Sequence, residues 1–401
     1  MASYTLMCTA CAHERPEDDY VVDCPRCGGL IDVRLTNAPG ARVFDDRYPS
    51  IFRYHAFMPY EPTEANLAAE DLAPTPERFE PALSEFAGAE IVVKDETGMP
   101  TGTWKDREGF VSLHRLAKNG ITDMVLFSSG NTGTSLARSA GRVRGPRLHI
   151  IVPRASEARV RSVMGRFCDP EFVELVFFDG SNDECTAEAA RYGAERGFAV
   201  EGGFSNYARR EGLKLLALEH LDRGEGPVDW YAQSVASGIG IYSFEKACRE
   251  AGREPPRLLG VQATICAPIV RAWEAGAAAL EDRFVPSEVI PSDFVRVLRT
   301  RNPASSYPAI KGVLDRTDGA MTAVDDAAIY RALRAFYGSE YFRGVYHERG
   351  ITVGLEAATA LAGVRDAVAR GIIARGSRVL LNVSGAAKAG DVMREWLDDV
   401  L

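Results

Sequence analysis

The chain has no long apolar run. Stretches such as "MVLF" and "ELVFF" fall far short of the ~18 residues that cross a bilayer as a helix. It has no Lys/Arg-rich run either. The balance of 47 Lys and Arg against 56 Asp and Glu gives a net charge of −9, which repels a phosphate backbone and argues against nucleic acid as the main partner. The N-terminal "MASYTLMCTACAHERPEDD" turns polar too early for a secretory signal, so a cytoplasmic protein is expected. Internal repeats, low-complexity tracts and long flexible linkers are missing as well. What remains is a 401-residue chain with 46% hydrophobic and 26% charged residues, room for two or three globular domains.

Cysteine is sparse after the first 27 residues. Cys168, Cys185, Cys248 and Cys266 are scattered and read as small buried apolar residues of a reduced chain. Cys8, Cys11, Cys24 and Cys27 form the pattern C-x2-C, twelve residues, C-x2-C. That spacing lets two knuckles offer four thiolates to one zinc ion, with no position left open for chemistry; the plainer alternative is a metal-free or redox segment. Pro25, Gly28 and Gly29 suit a tight second knuckle, and the ribbon should end near Leu35.

Residues 37–90, rich in Pro, Ala and Glu, read as a connector with one or two short helices. From Glu90 onward strand and helix patterns alternate. "EIVVK", "DMVLFS", "LHIIVP", "VELVFF" and "FAVEG" are expected strands, separated by the helical patterns "KDREGFVSLHRLAKNG", "NTGTSLARSAGRV", "SEARVRSVMGRF" and "SNDECTAEAARYGAER". "WYAQSV", "RLLGVQA" and "RVLLNVS" add strands later. This alternation predicts three-layer α/β structure with parallel-rich sheets.

Ligands of such folds sit where strands end and helices begin. Three of these junctions are rich in glycine and hydroxyl groups: "SSGNTGTS" (Ser128–Ser135), "SVASGIGIYS" (Ser234–Ser243) and "NVSGAAKAG" (Asn382–Gly390). Each offers backbone N–H groups to an anion; each is also an ordinary turn or helix cap. Ahead of them, "ETGMPTGTWKDREG" places Lys105 at a helix start, an unfavourable place for a merely structural cation.

"PTGTWKDR", then "SSGNTG", then the "SGIG" turn resemble the type II fold of pyridoxal-phosphate enzymes, and the first motif is particularly similar to the threonine synthase group. "IFRYHAFMP", "YAQSVASGIG", "APIVRAWEAG" and "VLRTRNPASSYPAIKGVLDRTDG" are most similar to the cysteate synthases within it. The resemblance implies a tryptophan synthase β-like fold: two three-layer α/β domains and an N-terminal zinc ribbon. The expected divisions are 1–36 for the ribbon, 37–117 with 206–401 for a large cofactor-binding domain, and 118–205 for a small inserted domain that closes over substrate.

Roles carried over by the resemblance are as follows. Lys105 binds pyridoxal phosphate covalently and removes the substrate's Cα proton. Asn131 meets the cofactor's phenolic oxygen, and Ser128, Ser129, Gly130 and Thr132 bind the substrate carboxylate. Ser237, Gly238, Ile239, Gly240 and Ile241 cradle the cofactor phosphate, and Ser384 faces the pyridine nitrogen. A hydroxyl there leaves the ring neutral and suits elimination and replacement. Arg209, in "NYARREGLK", is the candidate grip for a substrate phosphate, or else a solvated helix-face residue; Arg299 and Arg301 are weaker anion-pocket candidates. Two departures stand out: Ala236 and Ile241 flank the phosphate turn, and Glu108 replaces the glycine that commonly follows "KDR".

The expected activity is β-replacement on O-phospho-L-serine by sulfite, giving L-cysteate and phosphate, by a homodimer. Threonine synthase, acting on O-phosphohomoserine and water, is the alternative. A non-catalytic ribbon protein or sensor is the alternative from another class, disfavoured by the retention of Lys105, Asn131 and a hydroxyl at 384.

Overall fold

A computed structural model describes residues 4–16, 20–36, 44–288 and 298–386. The chain forms two compact units: Met1–Pro74, Met99–Leu218 and Glu250–Gly252 make the first, and Thr75–Gly98, Glu219–Arg249 and Arg253–Leu401 the second.

The first unit opens with a three-stranded antiparallel ribbon. Tyr4–Cys8 lies between Glu14–Arg15 and Ile31–Leu35. Strand side chains alternate between faces, so Tyr4, Leu6 and Cys8 share one side. They pack with Ile31 and Val33 against Tyr207 and Ala208. The main sheet of this unit is parallel, in the order Val173–Phe178, Arg147–Pro153, Asp123–Phe127, Ala199–Val200. The same alternation divides its core. Met124, Leu126, Leu148, Ile150 and Val152 meet Leu113, Leu116, Leu136 and Ala140 of the helices Lys105–Lys118 and Asn131–Val143. Val125 and Ile151 meet Cys185 and Ala189 of the helix Asn182–Arg196. That helix begins with a reciprocal capping box between Ser181 and Glu184 and stops at Gly197, in the left-handed region at φ 67°.

The second unit holds a six-stranded sheet in the order Ala320–Val324, Arg257–Ala263, Trp230–Ser234, Arg378–Val383, Glu90–Asp95, Glu77–Phe79. All neighbours are parallel except the last pair. Ile91, Val93, Ala232, Leu259, Val261, Val379 and Leu381 form its apolar face under the helices Asp326–Gly338 and Leu355–Ala369. Gly363 lets the second of these lie on the sheet, because a Cβ there would stand 2.3 Å from Val261.

The three-layer α/β expectation therefore holds in both units. "SEARVRSVMGRF" is not one helix: Glu157–Val163 is α-helical, with single 3-10 turns at Arg154–Ser156 and Met164–Phe167 on either side. Ser156 makes no side-chain cap, and β-branched Val163 followed by Gly165 are weak helix formers, so both ends tighten. The strands Ala320–Val324 and Glu77–Phe79 were not expected. One is alanine-rich and the other only three residues long, so both take their structure from the neighbouring strand. Among the described residues, no helix is long and apolar enough to cross a membrane.

Candidate active site

The approach to Lys105 is a loop stapled to the helix it precedes. Thr101 donates its backbone N–H to Asp106 Oδ2 at 2.7 Å and its hydroxyl to Oδ1 at 2.9 Å. Gly102 supplies the positive φ of 78° that the turn between them needs. Burial pushes the Asp106 carboxyl up to about 6, even though Thr101 favours its charge. The loop and the first helical turn become one piece, with Lys105 as the first residue of Lys105–Lys118.

The Lys105 side chain is only 18% exposed, and its Nζ sits 4.8 Å from the Trp104 ring centre. One anion touches it directly: Glu108 Oε2, one helical turn on, at 3.3 Å. Glu108 is fully buried and divides its two oxygens. Oε1 accepts from Arg209 Nη2 at 2.9 Å and from the Thr132 hydroxyl at 3.3 Å. Arg209 Nη1 donates to Glu201 Oε1 at 2.9 Å, while Arg209 Nε is buried without a partner among the described residues. Burial lowers the proton affinity of the Lys105 amine; Glu108 opposes this and Arg209 adds to it. Burial alone would raise the Glu108 carboxyl, but Arg209 and Lys105 hold it below the usual carboxylate range. Burial works against the Arg209 charge, and the carboxylates of Glu108 and Glu201 overrule it.

Two glycines bring these groups together. A Cβ on Gly109 would stand 2.6 Å from Ser135 Oγ, so the lysine helix and the helix Asn131–Val143 touch closely there. A Cβ on Gly212 would stand 2.6 Å from the Arg107 carbonyl oxygen and 2.7 Å from Glu108 Cα, so the helix Tyr207–Arg223 meets the lysine helix backbone to backbone. Ser135 also donates its hydroxyl to the Lys105 carbonyl at 2.6 Å.

Ser128, Ser129, Gly130, Asn131 and Thr132 form the turn from the strand Asp123–Phe127 into the next helix. Ser128 Oγ accepts from Gly133 N at 2.8 Å, and Gly130 at the cap is exposed. The N–H groups at this helix start face no intrahelical partner, which makes the turn suitable for a carboxylate.

In the second unit, Ser237 and Gly238 end the turn after the strand Trp230–Ser234, and Ile239, Gly240 and Ile241 form the first turn of the helix Ile239–Glu250. Gly238 has φ 87°, and a Cβ on it would stand 2.5 Å from Ile310; one on Gly240 would stand 2.0 Å from Gln233 Oε1. The positive φ favours glycine at 238, and Gly240 leaves room for the Gln233 amide; the result is a backbone cradle at a helix N-terminus, suited to a phosphate. Ser384, next after the strand Arg378–Val383, is buried, and its Oγ has no partner among the described residues. An orphaned buried hydroxyl costs about 1–3 kcal/mol unless something completes it, as a ring nitrogen would. Within this unit the cradle and the orphan hydroxyl suit the phosphate and ring nitrogen of pyridoxal phosphate, and within the first unit the Lys105 amine suits its aldehyde. Arg299 and Arg301 are half-buried in this unit, and Arg301 Nη1 donates to Ser287 O at 2.7 Å.

At the ribbon, the Sγ atoms of Cys8, Cys11, Cys24 and Cys27 all lie within 4.8 Å of one another. Cys8 and Cys27 are 3.5 Å apart, and Cys11 and Cys24 3.8 Å. Zn–S bonds of ~2.3 Å in a tetrahedron require sulfurs ~3.8 Å apart, so the set fits a zinc ion. Gly29 is needed there, since a Cβ would stand 3.0 Å from Cys8 Sγ.

Sequence reasoning singled out Lys105, Thr132 and Arg209 separately, and the structure brings them together through Glu108. It missed Glu201, which nothing in the local pattern marks. The spacing of Lys105 and Glu108, three residues apart on a helix, was a readable signal for one contact.

A parallel sheet with ligand groups at its strand ends, and a lysine whose amine loses proton affinity through burial, are features of an enzyme that works through a carbonyl cofactor. The chain belongs to the pyridoxal-phosphate dependent enzyme family, which matches residues 69–385. It is 29% identical to a cysteate synthase of Methanospirillum hungatei over 97% of this chain and 91% of that protein. It is 24% identical to a threonine synthase of Methanosarcina acetivorans over 95% and 91%. The processed form of threonine deaminase isoform 2 from Solanum lycopersicum shares the fold, with TM-score 0.65 at 16% identity over 91% of this chain and 97% of that one.

Proposed function

We propose that the protein catalyses β-replacement on O-phospho-L-serine by sulfite, yielding L-cysteate and inorganic phosphate. The observation that carries this reading is the Lys105–Glu108–Arg209 cluster beside Thr132, in a chain similar along nearly its whole length to a cysteate synthase. Bound at Lys105, pyridoxal phosphate supplies an electron-withdrawing ring that stabilises negative charge at Cα. The chain's residues do the rest. Ser128, Ser129, Gly130 and Thr132 hold the substrate carboxylate at the helix start. Lys105 Nζ takes the Cα proton, the Cβ–O bond to phosphate breaks, the sulfite sulfur forms the Cβ–S bond, and Lys105 returns the proton to Cα. No oxidant or reductant is needed. Arg209 orients the leaving phosphate through its unpartnered Nε–H, because its other nitrogens are committed to Glu108 and Glu201. Asn131, the turn 237–241 and Ser384 hold the cofactor.

The reading also assigns structural zinc to the four ribbon thiols, substrate closure to residues 118–205, and a homodimer to the working enzyme. Threonine synthesis from O-phosphohomoserine and water is the second reading, favoured by the similarity to the Methanosarcina protein.

The test uses purified full-length protein with cofactor. O-phosphoserine and O-phosphohomoserine are each offered with sulfite, sulfide or water, and products are weighed by mass spectrometry alongside released phosphate. Cysteate from phosphoserine and sulfite is expected. Phosphate release from O-phosphohomoserine alone, with threonine as product, establishes the second reading instead.

A further inference from the structure

Glu108 is the residue of the lysine motif for which the resemblance supplies no role. It is completely buried, and a carboxylate in such a place is costly unless paired. It is paired twice, one oxygen to each of two cations of different kinds. Oε2 is 3.3 Å from Lys105 Nζ, an amine that gains and loses a proton; Oε1 is 2.9 Å from Arg209 Nη2, a guanidinium that does not. Thr132 Oγ1, at 3.3 Å, fixes Oε1 from the neighbouring helix. The backbone contact at Gly212 leaves the carboxylate little freedom to move away from Arg209.

Among the described residues, the charged groups that act most on Lys105 belong to this constellation: Glu108 from its own helix, Arg209 from the helix Tyr207–Arg223, and Glu201 from the segment before that helix. The Trp104 ring lies alongside, and Asp106 is turned away to Thr101. The two carboxylates and the guanidinium sum to −1. With Lys105 as an ammonium the buried cluster is neutral; with a free amine it carries one uncompensated negative charge. Arg209 and Glu108 therefore pull the amine in opposite directions, and Glu108 is divided between them.

We propose that Glu108 is a positioning residue that ties Lys105 to Arg209 and sets how firmly the lysine amine holds its proton whenever it is free of the cofactor. The inference rests on Lys105 being the cofactor lysine, but its test reads the amine itself. Binding and protonation are reciprocal, so an anion that draws Arg209 toward itself leaves Glu108 more fully to Lys105 and strengthens the amine as a proton acceptor. The site then couples arrival of an anionic leaving group to the basicity of the residue that must take the Cα proton.

The experiment measures acylation of Lys105 against pH in the full-length chain before cofactor is added, by peptide mass spectrometry, with the half-exposed Lys118 as internal reference. Only the free amine reacts, so the midpoint reports its proton affinity. Glu108→Gln is expected to lower the midpoint by about one pH unit or more, and Arg209→Gln to raise it by a similar amount, as for loss of a charge within ~4–6 Å. Opposite movements are the signature, since general loosening of the fold would drive both variants toward an exposed lysine's midpoint. If Glu108→Gln does not fold, the Arg209→Gln rise together with a fall in Glu201→Gln carries the same test. Unchanged midpoints, or shifts in one direction for both charges, overturn the proposal. Cofactor capture at Lys105 in the wild-type chain is read separately; its failure sinks the functional reading, whereas unchanged midpoints with intact capture sink only the role of Glu108.

Discussion

Lys105 occupies the first helical position, where the helix dipole disfavours a cation, and burial works in the same direction. Its place in the motif made it legible in the sequence; its link through Glu108 to Arg209 was not, because Arg209 lies 101 residues away from Glu108. Lys105→Ala should abolish covalent capture of pyridoxal phosphate, seen as loss of the cofactor's mass from the reduced protein, while leaving the melting temperature of the cofactor-free chain near that of the wild type. His114, on the same helix, carries a separate prediction. Its ring packs edge-on against Phe110 at 4.3 Å, and its Nε2 is buried without a partner among the described residues. Burial pushes it down to about 4. The unfolded chain takes up this proton near pH 6.5 and the folded chain only near 4, so stability is lost as pH falls between them, by up to ~3 kcal/mol. His114→Phe should flatten that part of a urea-melt series against pH, and an unchanged slope would count against a neutral buried ring.

At the scale of elements, close approaches position the site more than any loop does. Gly109 and Gly212 let the three helices bearing Lys105, Thr132 and Arg209 meet at backbone distance. Gly212→Ala forces the Arg107 carbonyl away and should cost about 2 kcal/mol in denaturant melts, as overpacking does, with a larger proportional loss of cofactor binding than Gly224→Ala. The alternation of strands and helices was readable because buried strands are short apolar runs and the helices between them show a 3.6-residue period. The helix starting at Asn182 carries its Ser181 cap, whereas the one starting at Asn131 follows Gly130 with no side-chain cap. The strand Ala320–Val324 was not readable, since its small residues gain their fit only from Arg257–Ala263 beside them. Gly212 looked like any glycine within a helical pattern; only packing reveals its purpose.

At the scale of the molecule, the ribbon is joined to the rest of the first unit by more than apolar packing. Arg210, fully buried, donates to the carbonyls of Phe204 and Ile31 and lies 3.5 Å from Asp32. Tyr20 donates its hydroxyl to the Val200 carbonyl at 3.2 Å, and Val22 packs against Gly202, whose φ of 82° requires glycine. These contacts surround Glu201 and Arg209. Arg210→Met should cost about 3 kcal/mol, the range for removing one partner from a buried polar set, and should open the ribbon to limited proteolysis before the rest of the chain. A strong chelator should lower the melting temperature without removing the cofactor's absorbance; a metal-free preparation that melts identically would show that the four thiols hold no structural ion. The cysteine spacing made the ribbon legible, but not where it docks, because the partners of Tyr20 and Ile31 lie 180 and 179 residues away along the chain.

That separation has a consequence during synthesis. The ribbon leaves the ribosome well before Val200, Tyr207 and Arg210 exist to receive it. At ~5–20 residues per second the wait is on the order of ten to thirty seconds. Throughout it Leu6 and Val33 lack Tyr207 and Ala208 to cover them, and the four thiols are open to oxidants. A metal that closes the ribbon on its own would carry the nascent chain through that interval, so zinc supply during translation, more than in the finished enzyme, is where its scarcity should reduce yield.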